Sequence, residues 1–240
     1  YSWSAPSISG ISGTVAGTAQ SSFSSGTLVN GTNVPIDVVY TLTPSYSNGG
    51  VACSGNTFTV TVTVNPKPVI PVQAATICSG DNFAITPVNG TPNVSTIVPS
   101  GTTYTWTVAS NTNVEGQSNQ TTGVTSISQT LTNKTNTVQT VTYTVTPTSG
   151  AAGSCVGSTF TVTVTVNPRP LIANRTVNAC SNASFTVTPS NGGGDIVPVG
   201  TVYSWSAPVV TGNMTGGAGS SSNATSITGT LVNPTNQSQT

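Results

Sequence analysis

Four cysteines are the residues of this chain best equipped for covalent chemistry, and their spacing sorts them into two kinds. Cys53 and Cys155 lie 102 positions apart, and so do Cys78 and Cys180. Two cysteines per repeat at equivalent places read as an oxidised-pair pattern in a secreted chain. A metal shell is a poor alternative: there is no Cys-x-x-Cys and no histidine, and two thiols alone do not hold zinc. The rest of the reactive inventory is thin. Without histidine there is no Ser-His-Asp or Cys-His relay. The four carboxylates, Asp37, Asp81, Glu115 and Asp195, are scattered too widely for a glycosidase pair. They are also too few for calcium, which takes roughly six to eight oxygen ligands. Asp81, in Ser79-Gly-Asp-Asn82, reads as a turn residue. The glycine-rich stretches 191–194 and 216–219 lack dinucleotide or P-loop spacing and read as loops. Asn-x-Ser/Thr triplets such as Asn133-Lys-Thr135 arise easily by chance in a chain this rich in Asn, Ser and Thr. The expectation is a non-enzyme with no catalytic residue, cofactor or metal site.

The element that positions the cysteines is a repeat of about one hundred residues. Phe58-Thr-Val-Thr-Val-Thr-Val-Asn-Pro-Lys-Pro68 returns as Phe160-Thr-Val-Thr-Val-Thr-Val-Asn-Pro-Arg-Pro170. Tyr40-Thr-Leu-Thr-Pro44 returns as Tyr143-Thr-Val-Thr-Pro147. Tyr1-Ser-Trp-Ser-Ala-Pro6 matches Tyr104-Thr-Trp106 and then Tyr203-Ser-Trp-Ser-Ala-Pro208. A period this long is a whole small domain rather than a solenoid turn. Residues 1–68 read as the latter part of a first copy, 69–170 as a complete copy, and 171–240 as the front of a third. The expected context is a longer chain whose flanking sequence completes the outer copies.

Composition narrows the partners. Four basic residues balance four acidic ones among 240, for a net charge of zero. Nucleic-acid binding and polybasic membrane contact both need clustered Lys and Arg, which are missing. No apolar run reaches the length of a spanning helix. Disorder is disfavoured, because Val, Ile and Thr dominate and alternate strictly. A surface with so little charge resists proteases that cut at Lys or Arg, and salt has little to screen.

That alternation is the strongest local signal. Phe160, Val162, Val164 and Val166 fall on one face of a strand, with Thr161, Thr163 and Thr165 on the other. Val141, Tyr143 and Val145 alternate with threonines in the strand before it, and Tyr104, Trp106 and Val108 do the same earlier. Phe83 with Ile85, and Ile127 with Leu131, mark two more. No segment carries a 3.6-residue apolar period. The complete copy is predicted to hold strands A 69–77, B 82–88, C 103–109, a weak C′/D region 112–122, E 124–132, F 138–147 and G 157–166. This is the pattern of an all-β chain of tandem immunoglobulin-like antiparallel sandwiches, head to tail. Trp3, Trp106, Trp205, Tyr40, Tyr143, Phe58, Phe160, Phe83 and Phe185 are the expected core aromatics.

Two disulfide pairings are open. Cys78–Cys155 would close a bond within one copy. However, Cys78 enters strand B and Cys155 precedes strand G, and in such a sandwich these places lie at opposite ends. A strand of five or six residues spans about 17–20 Å, whereas a disulfide needs Cα atoms within about 7 Å. The alternative is a staple between successive copies. Cys78 would then pair near position 257, and Cys155 with an upstream copy. The linkers Pro66-Lys-Pro68 and Pro168-Arg-Pro170 contain no glycine. Proline fixes φ and removes a donor, so these joints are expected to be stiff and the copies nearly in line. Lys67 and Arg169 are expected to solvate the junctions.

Ile77-Cys-Ser-Gly80, Phe83-Ala-Ile-Thr-Pro87, Tyr104-Thr-Trp106, Tyr143-Thr-Val-Thr-Pro147 and the closing Phe160–Pro170 phrase together resemble the PKD-like, immunoglobulin-like repeats of giant Bacteroidota surface proteins. The resemblance implies a long filament or stalk, exported by type IX secretion and serving gliding adhesion or the seizing of other cells. It implies no catalytic residues. The expected location is the cell surface or the extracellular space. The expected partners are neighbouring repeats of the same chain, parallel copies in a filament, surface polysaccharide and other cells. A spacer or glycan-binding array on a secreted enzyme, and an S-layer or sheath component, are the alternatives.

Overall fold

The computed structural model describes residues 1–240, which form strands and turns with no helix. The first copy holds β1 (Ser2–Trp3), β2 (Ile11–Ser12), β3 (Val29–Asn30), β4 (Ile36–Thr43), β5 (Ser45–Asn48), β6 (Val51–Ser54) and β7 (Phe58–Val64). The middle copy holds β8 (Gln73–Cys78), β9 (Asn82–Ile85), β10 (Thr103–Val108), β11 (Val114–Glu115), β12 (Gln120–Val124), β13 (Ile127–Thr130), β14 (Thr132–Asn133), β15 (Gln139–Thr148) and β16 (Phe160–Asn167). The third holds β17 (Ser184–Val187), β18 (Tyr203–Trp205), β19 (Ser220–Ala224) and β20 (Ile227–Thr230).

Strict alternation of β-branched and aromatic residues gives each long strand one face to bury and one to wet. In the middle copy, five strands in the order β12-β10-β15-β16-β8 make one layer. The antiparallel pair β9 and β13 makes the opposite layer, with Gln129 facing Phe83 and Ile127 facing Ile85. Between them sit fourteen buried side chains, including Phe83, Tyr104, Trp106, Ile127, Leu131 and Tyr143. This is an immunoglobulin-like β-sandwich. The first copy repeats part of it as the sheet β1-β4-β7, and the third as the pairs β17–β20 and β18–β19.

One pairing departs from the expected antiparallel pattern. β8 runs parallel to β16, from Gln73 beside Val162 to Cys78 beside Asn167. The reason is directional. The chain enters the unit at one end and leaves from the other, so its first and last strands must travel the same way. Neighbours with that constraint can only pair in parallel. The parallel pair is therefore the structural mark of an in-line bead.

Each linker is pinned to the copy it enters. Val69 and Ile97 exchange two backbone hydrogen bonds of 2.9 and 2.8 Å, and Leu171 and Ile196 exchange two of 2.9 and 2.7 Å. Pro66 and Pro68 are buried, Pro168 is half-buried and Pro170 is exposed. The β15–β16 loop of the middle copy packs against the first junction at Pro68. A methyl group on Gly157 would stand 2.3 Å from the Pro68 carbonyl oxygen, so the two backbones touch there.

Candidate functional site

The aromatic residues build a scaffold rather than a binding platform. Trp106 is buried, packs edge-on against Tyr143, and donates its indole N–H to the Ser118 carbonyl at 3.0 Å. Trp3 is also buried and donates to Val15, while the half-buried Trp205 donates to Ala218. The Tyr143 hydroxyl donates to Gln129 Oε1, and that of Tyr40 to the Ser25 carbonyl. Burial pushes the Tyr104 pKa up to about 12. It raises Tyr40 and Tyr143 in the same direction. Phe83 and Phe160 are buried, but Phe58 is 43 % exposed and Phe185 half-buried. The expectation of a core position fails for Phe58 because residues 1–68 hold no counterpart of β8 and β9 to roof it. It packs instead edge-on against Tyr1.

Two recurring residues escaped the sequence analysis. Asn133, first read as part of a chance triplet, is buried and fully engaged. Its Nδ2 donates to the carbonyls of Thr137 and Val166, and its Oδ1 accepts from the Thr135 backbone N–H and hydroxyl. Asn30 does the same with Val34, Val64 and Thr32, and Asn233 with Gln237 and Thr235. The legible signal was Leu-x-Asn-x-Thr, repeated from Leu28, Leu131 and Leu231. Gly116 is the second case: it has φ +88°, and a Cβ would meet the Thr130 carbonyl oxygen at 2.0 Å. Gly13 and Gly216 repeat both features. Only glycine meets both demands.

The ends of the middle copy carry its polar devices. Arg169 does more than solvate the junction. Its guanidinium bonds Asp81 at 2.8 Å, tying the exit linker to the β8–β9 corner of its own copy. The hydrogen bond and charge of Asp81 raise the Arg169 pKa, and the adjacent Cys78 adds to the rise. Lys67 is exposed and takes part in none of the three ion pairs. Arg175 pairs with the buried carboxylate of Asp195 in the third copy.

All four cysteines carry free thiols here. Cys78 lies beside Asn167 at the exit end. Cys155 lies at the entry end, where its carbonyl accepts from the Ser149 N–H across the base of the β15–β16 loop. Val166 pairs with Gln139, and β15 runs from there to Thr148. The two cysteines are thus separated by roughly 35 Å at about 3.3 Å per residue. A bond between them inside one copy is geometrically closed.

A cavity of about 820 Å³ belongs to the third copy. Phe185, Val187, Ile227 and Leu231 line it. Their counterparts Phe83, Ile85, Ile127 and Leu131 pack in the middle copy's core against β15 and β16. Residues 171–240 contain no counterpart of those two strands, so the cavity is the room they occupy and not a ligand pocket. No three His, Cys, Asp or Glu side chains gather anywhere in the chain.

The outer face of the five-stranded sheet is a lattice of threonines. Thr107, Thr144 and Thr161 lie in one row across β10, β15 and β16, and Thr142 lies beside Thr163 in the next. Every one of these is exposed or half-exposed, and none is charged. Such a face offers hydroxyls and methyls in alternation and no reactive group.

Fold, junctions and outer face together define a structural β-sandwich repeat protein of the extracellular type. A family model for the PKD-like domain matches residues 1–68 and 75–170, and the chain belongs to that family. Both matched segments close on an Asn-Pro-x-Pro phrase. PKD-like domains are generally non-catalytic and typically extracellular. No helix of this chain is long and apolar enough to cross a membrane. No curated protein matches the chain.

Proposed function

We propose that this chain is a stretch of a long, non-catalytic surface filament that carries an adhesive function away from the cell. The observation behind the proposal is the in-line path of the middle copy. The chain enters beside Val162, leaves beside Asn167, and its entry linker packs against the β15–β16 loop at Pro68. A bead of that kind adds length with little bending, which is the need of a stalk or gliding adhesin rather than of an enzyme. Type IX export, attachment during gliding and capture of other cells follow from the resemblance to giant Bacteroidota repeat proteins. The uncharged threonine lattice suits lateral packing of parallel copies, because few charges oppose association. It also suits weak contact with polysaccharide, and this favours a glycan-binding spacer array as the second reading.

Electron microscopy of the full secreted protein, paired with attachment assays on cells lacking it, tests the proposal. Thin linear particles and lost attachment are the expected results. Compact particles or undiminished attachment overturn it. Saturable polysaccharide binding with undiminished attachment moves the assignment to the spacer array.

A further inference from the structure

We propose that successive repeats are covalently stapled across each junction. The corner cysteine of one repeat, Cys78 in the middle copy, bonds the loop cysteine of the next repeat, the counterpart of Cys155. Each of the four cysteines in residues 1–240 then has its partner in a flanking repeat. Cys78 and Cys180 look downstream, and Cys53 and Cys155 look upstream.

The first junction carries the argument. Asn65 stands in the first copy where Asn167 stands in the middle one, each followed by its Pro-x-Pro linker. In the middle copy, the strand neighbour of that asparagine is Cys78. At the first junction, the loop bearing Cys155 reaches the same place. A methyl on Gly153, two residues from Cys155, would stand 3.5 Å from Asn65 Nδ2. A corner cysteine paired beside Asn65 would lie about 4.8 Å from it, the ordinary strand spacing. That brings it into the neighbourhood of the Cys155 loop, and the staple requires the two Cα atoms to come within about 4.4–6.8 Å.

Two further features point the same way. Asn65 Oδ1 is buried at the junction with no hydrogen-bond partner, open to a donor from a strand laid beside it. Pro68 is buried where the loop touches it, whereas Pro170 is exposed at the second junction, where residues 171–240 supply no equivalent loop. The loop of the following repeat is therefore what covers a junction. Beside the corner thiol, Arg169 places a cation held by Asp81.

The chemistry is a two-electron exchange with a protein disulfide of the thioredoxin-like oxidant class. One thiolate attacks the oxidant's S–S bond to form a mixed disulfide and release one oxidant thiolate. The second thiolate of the pair displaces the other oxidant sulfur. One S–S bond breaks and one forms. Two protons leave the repeat thiols, and the oxidant emerges as a dithiol. The staple runs beside the proline linker, so each junction is held at two points and resists bending. It stands apart from the adhesive reading, since a spacer array would be stapled in the same way.

The test is non-reducing chymotryptic mapping of the full secreted protein, with free thiols alkylated first. The expected product joins the Cys78 peptide to the loop-cysteine peptide of the next repeat and separates on reduction. A Cys78–Cys155 peptide overturns the proposal, and so does alkylation of both thiols. In the Cys78→Ser protein, one new alkylatable thiol is expected, in the loop of the following repeat. Release of the Cys155 thiol instead overturns it. Mixing isotopically light and heavy protein before oxidation separates the sources: a mixed-mass cross-link would show a bond between molecules and overturn the in-chain staple.

Discussion

β7 and β16 contain the same seven residues, Phe-Thr-Val-Thr-Val-Thr-Val, and they end up in different surroundings. In β16, Val162, Val164 and Val166 are fully buried and Phe160 is 5 % exposed. In β7, Phe58 is 43 % exposed and Val60, Val62 and Val64 are half-buried. The backbone pairing does not explain this. β7 meets β4 with the same register that joins β16 to β15, Val62 facing Val38 as Val164 faces Val141. What differs is the cover. β8 lies alongside β16, and β9 with β13 closes over its inner face. Residues 1–68 hold no counterpart of β8 or β9. Alternation states which face of a strand is available for burial, and partners distant in sequence decide whether it is buried.

The contrast is most sharply broken by truncating the two phenylalanines. Phe160→Ala should destabilise the middle copy by about 3–5 kcal/mol. Phe58→Ala should cost about 1 kcal/mol or less, because its ring is already half in water. Hydrogen exchange of β15–β16 amides against β4–β7 amides reads each effect locally. Equal losses would mean that the two strands share one environment in solution. The asparagine corner sharpens the same comparison. Asn133→Ala strands the buried carbonyl of Val166, removes the donor to Thr137, and should cost about 2–3 kcal/mol. Asn233→Ala should cost about 1 kcal/mol, since no strand-end carbonyl equivalent to Val166 meets it. Denaturant midpoints of the two variants check this.

Alkaline titration gives a smaller and graded separation. A tyrosine whose folded pKa is raised stabilises the fold fully below its ordinary value near 10. That stability is lost as pH rises through the folded value. For Tyr104 the window runs from about pH 10 to about 12. Melting temperatures of the middle copy should therefore hold steady to pH 10 and then fall, and Tyr104→Phe should blunt the fall. The smallest effect belongs to Arg169→Ala. Its ion pair with Asp81 is half-exposed on both sides, and such pairs contribute little. The unfolding midpoint should not move within error, at low or high salt.

Much of the fold could be read from the residues because its determinants are local. Period-2 alternation marks the strands, and the recurrence of Tyr-x-Trp, Tyr-Thr-x-Thr-Pro and the Phe160–Pro170 phrase marks the copies. The strand expected at 138–147 is Gln139–Thr148, and the one at 157–166 is Phe160–Asn167. The asparagine corner was written in the chain as Leu-x-Asn-x-Thr. It stayed hidden because its partners, Val166 for Asn133 and Val64 for Asn30, lie more than thirty residues away. Arg169 and Asp81 are 88 positions apart and meet only because the first and last strands finish at the same end.

The amino-acid sequence by itself determined that this is a repeating all-β protein, which face of each strand could be apolar, and that two thiols recur per copy. Those properties follow from side-chain type and spacing along one stretch of backbone. Tertiary structure alone decided that β8 runs parallel to β16, that Arg169 reaches Asp81, and that the loop of one copy packs against the linker before it. Each of these depends on the direction in which distant strands are laid side by side, and no local pattern encodes that direction.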